Sequence, residues 1–306
     1  MRRVAILGAF FVLAAAFAAW GVAAPSNGAA PASADRAEQA RLPQLPPAVK
    51  SRNRWVIGVK CDTPPFGYID VRGQNAGVDV EVARWFARFA FGRAQRVTFV
   101  CAPTAAREPL LTTGRVDLVI STFSYSTDRD TRIDFSRAYY KATGRLLVKN
   151  DSPIQSLAGI RGRRVATTSG SIYDRWMRRC FPNTEVIVLD SVTNAITAFN
   201  QGRADAVMFD DTSLALVAST DRSAKLTDDL FLESPYGIGI AQGNTAMKRW
   251  VDSRLELMRK KDTFQGILKN NLAARFVPAF LKNILRPNNT FGYPAPGTPS
   301  ADTVCP

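Results

Sequence analysis

The sequence predicts an α/β fold of two lobes, each an open, mostly parallel sheet flanked by helices, joined to one another by two strands. Three observations carry this expectation: short β-rich runs alternate with helical stretches, the alternation occurs twice along the chain, and two extended runs separate and follow the second set. The 306 residues are 46% hydrophobic and 22% charged, enough apolar material to build two cores.

The first set opens with the β-rich run at 55–60, followed by a Pro-rich turn, a helical stretch over 78–91 and a second strand over 97–101. That is one βαβ unit. A helix through Leu110 and Leu111 leads to Gly114 and a third strand over 116–121, as a parallel sheet requires. The second set places strands at 164–168, 186–189 and 206–210, with helices starting near Ser171 and Ser191 and another after Asp211. The extended runs at 144–149 and 236–242 are expected to be the hinge crossings, with flexing near Gly144 and Gly239. Helices from Thr245 onward then complete the first lobe. The division is 51–144 for the first part of lobe one, 145–242 for lobe two with the hinge strands, and 243–285 for the completion of lobe one.

The ends have a different composition. Residues 1–24 begin with Arg2 and Arg3, run apolar from Val4 to Trp20 and finish in small residues, the grammar of a secretory signal. Pro25 disfavours cleavage just before it, so a cut after Ala23 is expected, with an uncleaved anchor as the alternative. No cysteine lies in or just after this segment, so no lipid is expected and the mature protein should be soluble. Residues 25–50 form a flexible tether rich in Ala and Pro, and the tail over 286–306 resembles it.

The formal charge of +14 raises the question of nucleic acid, but export argues against it and the basic residues are scattered, with no stripe. The chain contains no histidine, which excludes Ser-His-Asp and Cys-His catalysis and any histidine-based metal site. No cofactor is expected. Cys61, Cys101, Cys180 and Cys305 make an even set in an oxidising compartment. Cys61 follows the first strand and Cys101 ends the second, on one edge of adjacent strands, so they are expected to pair. A loop of about 40 residues closed this way adds roughly 4 kcal/mol in the chain-entropy model. Cys180 and Cys305 can pair only if the tail crosses back over the second lobe.

Three strings are distinctive: PPFGYID at 64–70, GVDVEVA at 77–83 and VDLVISTFSYSTDRDTRIDFS at 116–136. With SLAGIRGRRVATTSGS, GRADAVMFDD and YGIGIAQGN in order after them, they resemble the family 3 periplasmic solute-binding proteins of amino-acid ABC transporters, of the glutamate/aspartate-binding type. The resemblance covers about residues 55–272. It implies the type II periplasmic binding protein fold and a monomer that captures an amino acid by hinge closure. The bound amino acid would pass to an ABC permease in the inner membrane, with no reaction catalysed. The same architecture serves exported dehydratases of the cyclohexadienyl or arogenate type, in which Glu108 or Glu233 could supply an acid, and ligand-sensing modules.

An α-amino acid presents a carboxylate and an ammonium, so its binder needs guanidinium or backbone donors for one and an acidic group for the other. The resemblance places Arg129 on the α-carboxylate, after Ser121, Thr122 and Ser124. The turn from Thr168 to Ser171 joins it from the second lobe, at a helix start that favours anions. The alternative for Ser169 or Ser171 is a role only as that helix's cap, which is compatible with binding. Asp210 resembles the aspartate that accepts the ammonium, with Asp211 as its rival. Phe66 lies in the turn held beside the ligand. Where amide and cation binders carry an acidic residue this chain has Lys60, and with Thr104 and Arg107 it would surround a side-chain carboxylate. Two desolvated cations favour an anionic partner, hence glutamate or aspartate, with glutamine and asparagine left open. Residues near Val192, and Ile172 after Ser171, depart from the pattern.

Overall fold

A computed structural model describes residues 42–295 and 298–306. In chain order the first lobe runs α1 (Pro47–Arg52), β1 (Trp55–Val59), β2 (Asp62–Thr63), β3 (Gly67–Ile69), β4 (Asn75–Ala76), α2 (Val78–Phe91), β5 (Val97–Cys101), α3 (Arg107–Thr112), β6 (Leu118–Ile120), α4 (Thr127–Asp130) and β7 (Ile133–Phe135). The second lobe follows with β8 (Tyr140–Lys149), β9 (Arg164–Thr168), α5 (Ile172–Cys180), β10 (Glu185–Leu189), α6 (Val192–Asn200), β11 (Ala206–Asp210), α7 (Asp211–Thr220), β12 (Ala224–Leu226) and β13 (Phe231–Tyr236). The chain then returns to the first lobe through β14 (Gly239–Ala241), α8 (Thr245–Lys260), α9 (Thr263–Asn271) and α10 (Val277–Leu281).

The first sheet has the order β5-β1-β6-β14-β7, with β5, β1 and β6 parallel and β14 antiparallel to both of its neighbours. The second has the order β10-β9-β11-β8-β12, its first three strands parallel, with β13 also on β8. β1 sits between two strands and under helices on both faces, which is why it reads as a nearly unbroken apolar run. On α2, Val78, Val82, Phe86 and their neighbours form the buried stripe, and Gly92 ends the helix in the left-handed conformation that glycine adopts without steric cost. Trp250 of α8 packs on Trp55 and Phe86, tying the returning helices to the first-lobe core.

Two crossings connect the lobes, at 136–140 and 236–239, and they run side by side. Ser136 N donates to Ile238 O, Ile238 N to Ser136 Oγ, and Tyr139 N to Tyr236 O, each at 2.9 Å. Of the two glycines expected to flex, Gly144 lies beyond the first crossing and Gly239 at the end of the second, each paired within a sheet. Gly144 pairs with Asp210 inside the second sheet, and Gly239 pairs with Val119 and Phe135 inside the first. Their role is to admit neighbours: a Cβ on Gly144 would stand 2.5 Å from the Phe231 ring and 2.6 Å from that of Tyr173.

The ends also differ from expectation. The tether stops before residue 43, because Leu45 packs on the first-lobe core and Val49, in α1, is buried. The expected signal and the rest of the tether lie outside the described residues. The tail is no second tether. Tyr293 stacks on Tyr125 at 4.2 Å and donates to Ser136 O at the hinge, and Arg175 and Trp176 of α5 bond Asp302 and Val304 O. Both disulfides are present, Cys61–Cys101 and Cys180–Cys305, the second holding the tail on α5. Among the described residues no helix is long and apolar enough to cross a membrane.

Candidate functional site

Strand ends and helix starts from both lobes meet around one cavity. Its walls include Thr104, Arg107, Thr122 and Ser124 from the first lobe and Ser171, Ile172, Tyr173, Phe209 and Asp210 from the second. The cavity holds about 10 Å³, roughly the room of one water. No molecule much larger than water fits the cavity as it stands.

Arg129 stands in α4, whose start is fixed by Ser126: its hydroxyl accepts from Arg129 N, so the sequence Ser-Thr-Asp-Arg turns the side chain inward. The guanidinium is 1% exposed. Nη1 donates to Ser124 O and Nη2 to Gly170 O in the second lobe, both at 2.7 Å, and Nε donates to Glu108 at 3.2 Å. Burial lowers its basicity, and Arg107 and Arg175 add to the effect. A guanidinium is basic enough to stay charged regardless. Phe123 lies under both Arg129 and Arg107, at 5.1 and 4.5 Å, offering each cation its ring face.

Arg107 is oriented by backbone: Nε donates to Thr104 O, and Nη1 to Ser121 O and Thr122 O. Burial brings it down to about 10, so it too is charged at neutral pH. Lys60 at the end of β1 is fully buried and donates to Thr104 Oγ1 at 2.5 Å. Burial pushes its ammonium down to about 8, the nearby Asp62 opposing this most, with Arg107 reinforcing it. Asp62 Oδ1 is 3.8 Å from Lys60 Nζ. The two cations are therefore not without anions, because Asp62, Asp79 and Asp210 all act on Lys60.

Opposite them, Asp210 ends β11 and is 3% exposed. Tyr173 donates to it at 2.6 Å. Burial raises its carboxyl to about 6, and hydrogen bonding draws it part of the way back. Asp211 is the first residue of α7 and less deeply buried. Ser171 caps α5 by accepting from Asp174 N, and Thr168 Oγ1 is buried without a hydrogen-bond partner among the described residues.

Two expected site residues, Phe66 and Ser121, do other work, and Thr122, which lines the cavity, also serves through its backbone. Phe66 lies in the first-lobe core, edge-on to Tyr140 and Tyr236. The Ser121 hydroxyl donates to Ala102 O, and Thr122 N is held by Asp79, so these two shape the backbone that orients Arg107. Tyr173, Phe209, Phe123, Asp79 and Asp62 were absent from the expected set. Only Asp79, an acidic residue in the apolar face of α2, carried any signal in the sequence, and burial raises its carboxyl to about 6. Glu108 bonds both Arg129 and Arg132, and Glu233 pairs with Lys141 on the surface.

The model of the bacterial extracellular solute-binding proteins, family 3, matches residues 55–273. The chain is 29% identical over 224 residues to an ABC transporter glutamine-binding protein of Bacillus subtilis, covering 72% of this chain and 82% of the relative. It is 31% identical over 196 residues to a glutamine-binding protein of Geobacillus stearothermophilus, covering 63% and 75%. Among solved structures, the solute receptor for L-cysteine of Neisseria gonorrhoeae is similar with a TM-score of 0.73 at 26% identity, over 75% of this chain and 94% of that one. The architecture is the type II periplasmic binding protein fold, and the chain is a binding protein and not an enzyme. With 219 of its residues matched from β1 to beyond α9 and both lobes in place, the chain belongs to the bacterial extracellular solute-binding proteins of family 3.

Proposed function

We propose that this protein is the capture component of an amino-acid ABC importer, exported to the periplasm, acting as a monomer and closing its lobes on glutamate or aspartate. The observation that supports this most is one interlobe cavity lined by a buried cation of the first lobe, Arg107, and a buried anion of the second, Asp210, with Lys60 bonded to the lining Thr104. In this reading Arg129 takes the α-carboxylate. That carboxylate replaces the Gly170 carbonyl as acceptor, so that both partners of the bond are ionised and not the donor alone. Thr168 and the amides at the start of α5 complete its surroundings. Asp210 takes the ammonium, and Lys60, Thr104 and Arg107 take the side-chain carboxylate.

A neutral amide such as glutamine is the second reading, favoured by the Asp62 carboxylate beside Lys60. Calorimetry of ligand-stripped protein with L-glutamate, L-aspartate, L-glutamine and L-asparagine separates the two. The acidic pair should bind more tightly, and Lys60→Met or Arg107→Met should narrow the gap. Tighter binding of glutamine by the unaltered protein contradicts the acidic reading, and binding of none of the common amino acids defeats the proposal as a whole.

A further inference from the structure

Asp62 lies where three constraints meet. It directly follows Cys61, whose disulfide to Cys101 anchors the backbone, and it pairs with Tyr68 in the small hairpin sheet. Its Oδ1 accepts from Thr63 Oγ1 at 3.0 Å and stands 3.8 Å from Lys60 Nζ. Its Oδ2 accepts from Val192 N at 3.1 Å, and its backbone carbonyl accepts from Thr193 Oγ1 at 3.4 Å. Val192 and Thr193 open α6 in the second lobe, where the helix dipole favours a negative charge. The side chain is 19% exposed, so solvent screens it only in part.

These contacts join closure to selectivity. Lys60 donates to Thr104, which lines the cavity, while Asp62 is gripped by the other lobe only when the lobes are together. We propose that Asp62 is a specificity-determining residue: lobe closure pins its carboxylate beside Lys60 and sets how much positive charge a ligand side chain meets. The inference rests on the amino-acid reading of the site. The charged groups acting on Lys60 are Asp62, Arg107, Asp210 and Asp79, and of these Asp62 opposes the effect of burial most. Arg107, Asp79 and Asp210 are each held by bonds within their own lobe. Among the described residues, Asp62 alone of the four makes hydrogen bonds that reach across the cleft.

The test removes the charge and, in one variant, keeps the bond to Val192. Asp62→Asn retains an oxygen at the reach of Oδ2, so a thermal melt close to that of the unaltered protein is expected, while Asp62→Ser removes the charge with a shorter side chain. Calorimetry then compares L-glutamate with L-glutamine, which differ in side-chain charge at nearly equal size. The glutamate-to-glutamine affinity ratio should rise about tenfold in both variants, the scale of one partly screened charge several ångströms away. An unchanged ratio in folded variants overturns the proposal. Affinities of the unaltered protein report separately on the amino-acid reading. A second readout uses protein held closed by saturating L-glutamine: in lysine side-chain NMR, assigned with Lys60→Met, the Lys60 midpoint should move down when the Asp62 charge is removed. A midpoint that stays in place also overturns it.

Discussion

Arg129 of the first lobe donates from Nη2 to the backbone carbonyl of Gly170 in the second, 2.7 Å away. The bond crosses the cleft at the turn that opens α5, where Gly170 has φ +71 and its neighbour Ala105 leaves no room for a Cβ without a shift. Closure thus brings a buried guanidinium against backbone, with Glu108 and Ser124 O holding its other nitrogens.

If that guanidinium holds the ligand, Arg129→Ala should weaken every α-amino acid by at least thirtyfold, since losing a charge-assisted contact in a closed cleft costs about 2–5 kcal/mol. Arg129→Lys should recover little of this, because one ammonium cannot replace the fork that reaches Ser124, Gly170 and Glu108 together. Calorimetry decides the matter, and affinity within threefold of the unaltered protein removes Arg129 from the site.

Asp210 gives a pH signature. Its carboxyl is raised to about 6, so below that pH it is protonated in the ligand-free protein, and an incoming ammonium must displace the proton. Affinity should be level between about pH 6 and 7, below the titration of Lys60, and fall by up to tenfold per unit below pH 6. Asp210→Asn should bind weakly and lose this slope. The sign for ligand-free stability is the reverse: a carboxyl raised from 3.8 to about 6 makes stability fall as pH rises through that window, by about 3 kcal/mol at most. A pH-independent affinity between 4.5 and 7 would contradict the assignment.

The tail disulfide should stabilise the protein. Cys180–Cys305 closes a separation of 125 residues and holds Asp302 and Val304 on α5. Removing a native bridge commonly costs about 2–5 kcal/mol, so Cys305→Ser should lower the melting temperature by several degrees. Non-reducing peptide mapping should return Cys61–Cys101 and Cys180–Cys305 peptides, and thiols open to alkylation without reductant would refute the pairing.

Gly144 should tolerate nothing larger than hydrogen. Gly144→Ala forces the rings of Phe231 and Tyr173 to shift in the second lobe, at a cost of about 1–3 kcal/mol. Because Tyr173 also donates to Asp210, ligand affinity should drop along with stability. Denaturant unfolding and calorimetry on the same variant test both effects, and a neutral substitution would show that the rings give way freely.

The hydrophobic periods by themselves determined the alternating strands and helices, because burial on one stripe or on both faces is written in local spacing. The expected strands at 97–101, 164–168 and 206–210 coincide with β5, β9 and β11, and Ser171 and Ser191 do start α5 and α6. The order of distinctive strings, through the family they resemble, pointed to Lys60, Arg107, Arg129 and Asp210, because charges at fixed places beside those strings can be matched one by one. What the tertiary structure decided depends on residues far apart in the chain. The aromatic Phe66 is suited equally to a core or a ligand, and its contacts with Tyr140 and Tyr236 chose the core. A Pro-rich tail has the composition of a linker until Tyr125, α5 and Cys180 give it something to bind. Asp62 has no pattern around it to mark it out. Its significance arises only when closure sets Val192 on one side and Lys60 on the other, because Coulomb energy follows distance in space and not separation along the chain.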